Sequence, residues 1–458
     1  MGKRRMAALC GTLRVYEDRA AHSGRTIPIA FVALEATHPT HSAIFFNPGG
    51  PGAPATPLAP FAADGVFEPY MARLRDRYDV VFVDNRGMGG SHPLDCPALW
   101  NPANRAAYFL QLWPAAQLRA CRARLAASAN LDDYTTDLAV DDIDDVRAAL
   151  GYPRIVLSGG SGGTQLYLDY ARRHPQHVES LLLQGVAPPH FLIIPLEDAR
   201  GAQVAMDRVV AACRAERACG TRFPHLGAHF AALVHRFDRG PMPVTFENAK
   251  THRRQLLTLS KEVFADRLRQ MLYGTDTARF VPYAIERAYA GDTMPLARIV
   301  DVVTRVIGTD VLPGANLSVT CAEDIPFITA ADVARTSDRT FMGDARVRAQ
   351  QRACAIWQVH PVPAHFQDPV RSSAPAFLIS GADDPATPPE YAREELPYLS
   401  NATWLLVANA SHDTELPCTM ALAEQFIRAR SPARLRTASC ASQNRRPPFA
   451  MTPLTFEP

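Results

Sequence analysis

The chain has 458 residues, of which 47% are apolar and 21% are charged, and its formal net charge is +2. This length exceeds the roughly 250 to 300 residues at which a single core stops growing, so we expect one large domain with an insertion, or two domains. The ordinary composition excludes a disordered or fibrous chain, and the scattered basic residues argue against nucleic acid as a partner. No run approaches the ~18 apolar residues of a membrane span, so none is expected.

Short apolar runs in the first third of the chain predict strands of a parallel sheet. They are residues 43–46, 80–83 and 155–157, and runs of this kind are typical of strands buried on both faces. Residues 137–150 place apolar side chains at helical spacing and are followed by Gly151, a common helix end. This alternation of strands and helices predicts a doubly wound α/β domain.

Helical patterns dominate the middle of the chain, for example in residues 262–272 and 294–307. Strand patterns resume at residues 376–379 and 403–407, and a helix is predicted at residues 419–430. The sequence therefore predicts an α/β core interrupted by a helical cap. The predicted division is core at 1–188, cap at 189–345 and core again at 346–458.

Nine cysteines indicate the cellular compartment. They form no C-x-x-C pair and no His/Cys cluster at zinc spacing, so we expect no metal site. Their spacing suggests four disulfides and leaves Cys10 unpaired; the suggested pairs are Cys96–Cys121, Cys213–Cys219, Cys321–Cys354 and Cys418–Cys440. Disulfides imply an oxidising compartment, whereas the alternative is a set of buried thiols in a cytosolic protein. Sequence alone leaves the connectivity open.

One serine lies among glycines in S-G-G-S-G-G-T-Q, residues 158–165, between a predicted strand and a predicted helix. The segment matches G-x-S-x-G, the strained turn that presents a nucleophilic serine, here Ser161. A dinucleotide-binding loop would need a third glycine where Gln165 stands, and a phosphate loop would end in G-K-[ST]. A flexible linker would not be flanked by an apolar strand and an amphipathic helix. We therefore predict a nucleophile at Ser161.

A nucleophilic serine needs a base and a group that orients the base, in the chain order serine, acid, histidine. Asp384 follows the strand at residues 376–379, at the sheet edge where sites of α/β proteins form, and it is preferred to Asp383. His412 follows the next predicted strand. The alternatives are a turn-capping acid and a solvated loop histidine.

The stabilisation of an oxyanion needs two backbone N–H groups. Gly162 follows the serine and is the first candidate donor. The second is Gly50, with Gly49 as a substitute, in N-P-G-G-P-G after the first predicted strand. The alternative for this segment is an ordinary Pro-Gly turn.

Four motifs together resemble the α/β-hydrolase peptidases related to proline iminopeptidase, and more closely their secreted tripeptidyl aminopeptidase-like branch. They are N-P-G-G-P-G, V-D-N-R-G-M-G-G-S, G-G-S-G-G-T and G-A-D-D-P-A-T-P. The resemblance covers nearly the whole chain and extends to the cysteine couples. It implies an α/β-hydrolase fold with a cap and serine-dependent release of short peptides or residues from a free N-terminus, without cofactor.

In such enzymes, acidic cap residues hold the ammonium group of the substrate. The resemblance suggests Glu323 and Asp324 for this role, and the alternative is a helix-capping acid beside a disulfide. Two residues depart from the family pattern. Gly162 replaces a frequent aromatic residue, which is expected to leave more room near the scissile bond. Asp413 follows His412 in place of glycine, and it either raises the basicity of His412 or is simply solvated.

The sequence thus predicts an exported serine hydrolase of the aminopeptidase type, secreted or periplasmic, with any export signal absent from this chain. The alternative is a carboxylesterase acting on small acyl esters, because similar proteins include such enzymes. A non-catalytic binding protein would be expected to have lost part of the triad. We expect a monomer that takes a small peptide or ester, with no cofactor, metal or nucleic acid.

Overall fold

The computed structural model describes residues 8–190, 196, 198–442 and 444–454. Its strands in chain order are β1 (Ala8–Tyr16), β2 (Thr26–Leu34), β3 (Ser42–Asn47), β4 (Tyr78–Val83), β5 (Ile155–Gly160), β6 (Val178–Gln184), β7 (Met242–Glu247), β8 (Arg254–Leu259), β9 (Ala376–Gly381) and β10 (Ala402–Val407). Eight of them form one sheet in the order β1-β2-β4-β3-β5-β6-β9-β10, and β7 and β8 form a separate antiparallel hairpin. From β4 to β10 the neighbouring strands of the large sheet are parallel.

Helices cover both faces of the sheet and fill the insertion. In chain order they are α1 (Ala59–Ala63), α2 (Pro69–Leu74), α3 (Arg105–Leu110), α4 (Ala115–Ala126), α5 (Thr136–Ala149), α6 (Gly162–Arg173), α7 (Asp198–Ala215), α8 (Arg217–Arg222), α9 (Leu226–Asp238), α10 (Lys261–Met271), α11 (Thr275–Ala278), α12 (Val281–Tyr289), α13 (Met294–Asp310), α14 (Pro313–Glu323), α15 (Ala330–Ser337), α16 (Ala345–Trp357), α17 (Pro389–Glu395), α18 (Pro417–Ala429) and α19 (Ala438–Ala441). In this part of the chain, no helix combines the length and apolar character needed to cross a bilayer.

The central strands are apolar on both faces because each face packs on its own layer of helices. Phe45 of β3 and Leu157 of β5 belong to one buried cluster, whereas Phe46 and Val156, their neighbours along the chain, belong to the other. This burial explains why the strands read as continuous apolar runs. It confirms the predicted mostly parallel α/β sheet.

The helices from α7 to α16 lie between β6 and β9, in the part of the chain where the cap is predicted. The predicted end of the cap at residue 345 coincides with the start of α16, which packs against α10 and α14 and also against α4 of the predicted core. The run of helices between β6 and β9 continues to Trp357, and the division into core and cap stays a prediction. Part of its predicted start, residues 191–195 and 197, lies outside the described residues.

The four suggested disulfides are all present, and they join Cys96 to Cys121, Cys213 to Cys219, Cys321 to Cys354 and Cys418 to Cys440. Cys10 is free and exposed, as expected. Three pairs link residues more than twenty positions apart. Such links stabilise the folded chain mainly by restricting the unfolded one.

The motif V-D-N-R-G-M-G-G-S holds the loop that follows β3. Asp84 accepts hydrogen bonds from the N–H groups of Ala55 and Thr56, both at 2.8 Å, and from the Thr56 hydroxyl at 2.8 Å. Arg86 forms a buried ion pair with Asp142 of α5 at 2.7 Å. The motif is therefore structural, and it fixes the glycine loop beside the serine turn.

Candidate active site

Ser161 lies between β5 and α6. Its backbone has φ 53° and ψ −129°, a conformation that residues other than glycine rarely adopt. Its N–H donates to the Gln184 carbonyl at 2.8 Å, which holds the turn against β6. The flanking glycines allow this packing: a Cβ on Gly159 would lie 2.6 Å from the Gly163 oxygen, and one on Gly163 would lie 2.5 Å from the Asn47 oxygen. The turn is therefore rigid and strained, as is common at functional sites.

Asp384 and His412 are joined directly. Asp384 Oδ2 lies 2.8 Å from His412 Nδ1, and Asp384 is buried, at only 3% exposed. The N–H groups of Ala386 and Thr387 donate to Asp384 Oδ1 at 2.7 and 2.9 Å, and the Thr387 hydroxyl donates to Oδ2 at 2.8 Å. These donors fix the carboxylate and stabilise its charge, so that it can orient the imidazole.

The neighbouring acid has a different function. Asp383 forms ion pairs with Arg208 of α7, at 2.7 Å, and with Arg446 in the C-terminal segment. It therefore ties the cap and the C-terminal segment to the core, while Asp384 faces the histidine. Of the two acids, Asp384 is the one that contacts the histidine.

Nearby carboxylates raise the pKa of His412. Burial pushes the pKa of His412 down, but the charge and the hydrogen bond of Asp384, with the charges of Glu415 and Asp413, raise it above its ordinary value. Asp413 accepts hydrogen bonds from the Thr275 N–H at 2.8 Å and the Ser411 N–H at 3.0 Å. It is thus held in place and contributes to the basicity of His412.

Gly50 and Gly162 approach each other beside the serine. A Cβ on Gly162 would lie 2.8 Å from the Gly50 oxygen. The expectation that Gly162 leaves extra room near the scissile bond is therefore corrected, because the Gly50 backbone occupies that space. The Gly49 N–H donates to Asn47 Oδ1 at 2.9 Å, so this N–H is already used.

Ser161, Gly50 and His412 line one cavity of about 280 Å³ between core and cap. Aromatic and basic side chains form much of its remaining wall; among them are Trp100, Trp113, Tyr273, Arg267, Arg269 and Arg346. Among the described residues that line it there is no carboxylate. The cavity therefore brings the serine and the histidine together under a wall that carries guanidinium groups.

Buried Asp266 of α10 is an ionic partner of these arginines. It pairs with Arg269 at 3.3 Å and also with Arg267 and Arg346. Burial raises the pKa of Asp266, yet the three guanidinium groups outweigh this effect and hold it at about 2. The cluster thus links α10 to α16 at the cavity wall.

The structure does not bring Glu323 and Asp324 to this cavity, which corrects the predicted amine site. Glu323 is fully buried, and its carboxyl oxygens accept hydrogen bonds from the Thr136 N–H at 2.6 Å and hydroxyl at 2.8 Å. Burial raises the pKa of Glu323 well above its ordinary range. Asp324 is buried as well, at 3% exposed. Glu323 instead accepts hydrogen bonds from the first residue of α5, Thr136, and so has a structural role.

A buried polar pair behind the serine was missed by the sequence reasoning. Gln184, whose carbonyl holds the Ser161 N–H, donates from its side chain to Glu68 Oε1 at 3.0 Å. Burial, together with nearby Glu415, raises the pKa of Glu68 to about 8. A lone glutamate in a loop gives no sequence signal for this position, since only the fold places it under β6.

Among the described residues, one trio of side chains has the composition of a metal site. Potential ligand atoms of Asp144, His174 and His177 lie within 4.8 Å of one another. Asp144 Oδ1 already accepts hydrogen bonds from Arg147 at 2.6 Å and Tyr170 at 2.6 Å, and lies 2.7 Å from His177 Nδ1. The trio therefore belongs to a network that joins α5 to α6, outside the serine cavity.

Comparison with known families and proteins gives a consistent result. A model of the α/β hydrolase fold family matches residues 42–223, and a model described as TAP-like protein matches residues 339–439. Together with the observed sheet, these matches confirm the predicted α/β-hydrolase fold.

Individual relatives are peptidases by name. The chain is 27% identical to serine protease Hip1 of Mycobacterium tuberculosis (strain ATCC 25618 / H37Rv) over 424 residues, 83% of this chain and 77% of that protein. It is 32% identical to proline iminopeptidase of Neisseria gonorrhoeae over 135 residues, 30% of this chain and 29% of that protein. The crystal structure of proline iminopeptidase from Mycobacterium smegmatis aligns with 92% of this chain and 98% of its own, at 15% identity and a TM-score of 0.39. That structural likeness is too low to bear on function.

Proposed function

Since the chain belongs to the α/β-hydrolase peptidase family and is a serine hydrolase, we propose that it is an exported aminopeptidase that releases short peptides or single residues from the N-terminus of its substrates. The observation that carries the proposal is the geometry around one cavity. Ser161 lies on a strained turn, and it shares the cavity with His412, which is bound to Asp384. A serine on a strained turn, in one cavity with a histidine that is bound to a carboxylate, supports nucleophilic catalysis by the serine.

In the proposed acyl transfer, His412 Nε2 removes the proton of the Ser161 hydroxyl while Oγ attacks the substrate carbonyl carbon. Asp384 holds Nδ1 and stabilises the imidazolium that forms. The negative charge that develops on the carbonyl oxygen is stabilised by the N–H groups of Gly50 and Gly162. His412 then gives its proton to the leaving group as the bond to that group breaks.

The second half of the reaction restores the enzyme. His412 removes a proton from a water molecule, and the water oxygen bonds to the acyl carbon, which becomes the carboxyl carbon of the released acid. Ser161 Oγ leaves and takes back the proton from His412. These steps balance without a metal or a cofactor, and all the groups involved lie on the serine turn or on loops at the same sheet edge.

The position of the cap supports the assignment of exopeptidase activity. It covers the sheet edge, and cap residues such as Arg267 and Arg346 line the cavity that holds Ser161. A covered cavity favours the end of a peptide over an internal segment, because an internal segment must leave the site at both ends.

A second candidate, a carboxylesterase for small acyl esters, is favoured by a different observation. The described residues that line the cavity include three arginines and no carboxylate. An ammonium group would therefore meet no acidic partner among these residues, while an ester without a free amine needs none.

Three substrates with one acyl side chain separate the two candidates. They are a peptide anilide with a free amine, the same anilide with a blocked amine, and an acyl ester. The aminopeptidase proposal predicts turnover of the free anilide and little turnover of the blocked one. Equal turnover of both anilides, with faster cleavage of the ester, would establish the esterase instead.

The proposed export is supported by the four disulfides, which persist in oxidising compartments. Mass mapping of the protein purified from its native cells without reductant tests this part. Four linked peptide pairs are expected, whereas free thiols at the eight paired cysteines would contradict export.

A further inference from the structure

A second cavity, of about 540 Å³, meets the serine cavity at His412. Its wall is mostly apolar, and we call it the apolar groove; it is lined chiefly by Met271, Val302, Val303, Val306, Ile307 and Leu454. The two cavities share Gln270, Tyr273, Ile307, Val311 and His412, but Ser161 and Gly50 line only the first. The apolar groove therefore adjoins the serine cavity at the histidine and not at the nucleophile.

If His412 is the general acid, the position of the groove beside it indicates which half of the substrate the groove binds. In acyl transfer the acyl half of the substrate becomes bonded to the serine, while the leaving half accepts its proton from the histidine. The leaving half must therefore lie next to His412. We propose that the apolar groove binds the leaving group of the substrate, an inference that rests on the proposed function.

The charged residues of the apolar groove restrict the charge of the leaving group that it can bind. Asp310, at the end of α13, and Asp413 line it, and apart from His412 its described lining residues include no basic side chain. Asp310 is exposed, and its position at a helix C-terminus adds negative potential from free carbonyl groups. A leaving group with a free carboxylate would be repelled here. The preferred leaving group is therefore apolar and uncharged, such as an aromatic alcohol or amine, or an apolar residue whose carboxyl group is blocked.

Val306 of α13 is the position for the first test, because it is half-buried and faces the groove. Methyl and 2-naphthyl esters of one acyl group are compared by kcat/KM, which reports acylation. Val306→Asp should lower kcat/KM for the naphthyl ester about tenfold and leave the methyl ester near the wild-type value, since one poor apolar contact costs about this much. Thr309→Asp, on the same helix outside the groove lining, should change neither value.

The outcomes separate the groove from the reaction itself. Equal effects of Val306→Asp on both esters, or no effect on the naphthyl ester, would overturn the assignment of the groove. If the aspartate variant loses both activities together with its thermal transition, Val306→Ala replaces it, with an expected drop of about threefold for the naphthyl ester alone. Full turnover by Ser161→Ala would instead overturn the proposed function.

Asp310 provides the second test. A peptide whose leaving residue is phenylalanine is compared with the same peptide ending in phenylalanine amide. The wild-type enzyme should prefer the amide, and Asp310→Asn should reduce that preference several-fold by raising kcat/KM for the free acid. A preference for the free acid in the wild-type enzyme would contradict the proposed charge selection.

Discussion

His412 Nδ1 lies 2.8 Å from Asp384 Oδ2, and the Thr387 hydroxyl lies 3.2 Å from the same nitrogen. The carboxylate accepts three further hydrogen bonds, so its position is fixed before substrate binds. A histidine held in this way keeps its proton on Nδ1 and leaves Nε2 free to act as a base.

Asp384→Asn should therefore lower kcat by about a thousandfold, because the amide cannot stabilise the imidazolium and favours the wrong tautomer. Asp383→Asn is the matched control. Its carboxylate contacts Arg208 and Arg446, not the histidine, so this variant should retain most of the activity. Steady-state kinetics of the two variants test the assignment, and a larger loss in Asp383→Asn would reverse it.

The pH profile depends on Asp413. A charged imidazole cannot accept the serine proton, so kcat/KM should fall at low pH as His412 becomes protonated. Since neighbouring carboxylates raise the pKa of His412, this fall should be centred above the ordinary histidine value. Asp413→Asn removes one negative charge, lowers the pKa of His412 and should move the acid limb to lower pH. An unmoved limb would show that Asp413 has only a structural role.

Gly162 should tolerate no side chain. The Cβ of Gly162→Ala would lie 2.8 Å from the Gly50 oxygen, and moving Gly50 disturbs the N–H group assigned to the oxyanion. We expect kcat/KM to fall about a hundredfold with little loss of stability. Gly160→Ala is the control, because its Cβ would lie 3.6 Å from the nearest heavy atom, the Pro48 oxygen. Equal activities of the two variants would disprove the contact argument.

The buried Glu68 should make stability depend on pH. Because burial raises its pKa from 4.5 to about 8, the folded chain holds a proton there that the unfolded chain releases between these values. The free energy of unfolding should therefore fall as pH rises from about 4.5 to about 8. Glu68→Gln removes this loss and should stabilise the protein at pH 8 by about 4 kcal/mol relative to the wild type.

Urea unfolding at pH 5 and pH 8 measures this difference. Glu390→Gln, at an exposed position, is the control and should leave the pH dependence unchanged. The same slope of stability against pH in wild type and Glu68→Gln would contradict a neutral Glu68 in the folded protein.

Local patterns predicted the elements that carry the site. Ser161, Asp384 and His412 follow the apolar strands β5, β9 and β10 respectively, and because these strands are parallel their carboxyl ends lie at one edge of the sheet. The antiparallel strands β1 and β2 were missed. β1 lies at the sheet edge and is largely exposed, so its pattern lacks a continuous apolar run.

Features that depend on packing between distant segments were not predictable in the same way. Glu323 has the same local sequence whether it faces a cavity or caps α5, and only the docking of α14 on Thr136 decides between these uses. The space beside Gly162 depends likewise on Gly50, more than a hundred residues earlier. The pairing of Glu68 with Gln184 also has no local signal.

Ser161 is assigned as the nucleophile and His412 as the base that activates it. Labelling with a fluorophosphonate, followed by peptide mapping, tests it most directly because the reagent bonds to an activated serine and needs no knowledge of the substrate. One adduct per chain is predicted, on Ser161, with none in Ser161→Ala and much slower labelling in His412→Ala. Labelling of a different residue, or labelling of Ser161 at an unchanged rate without His412, would contradict this assignment.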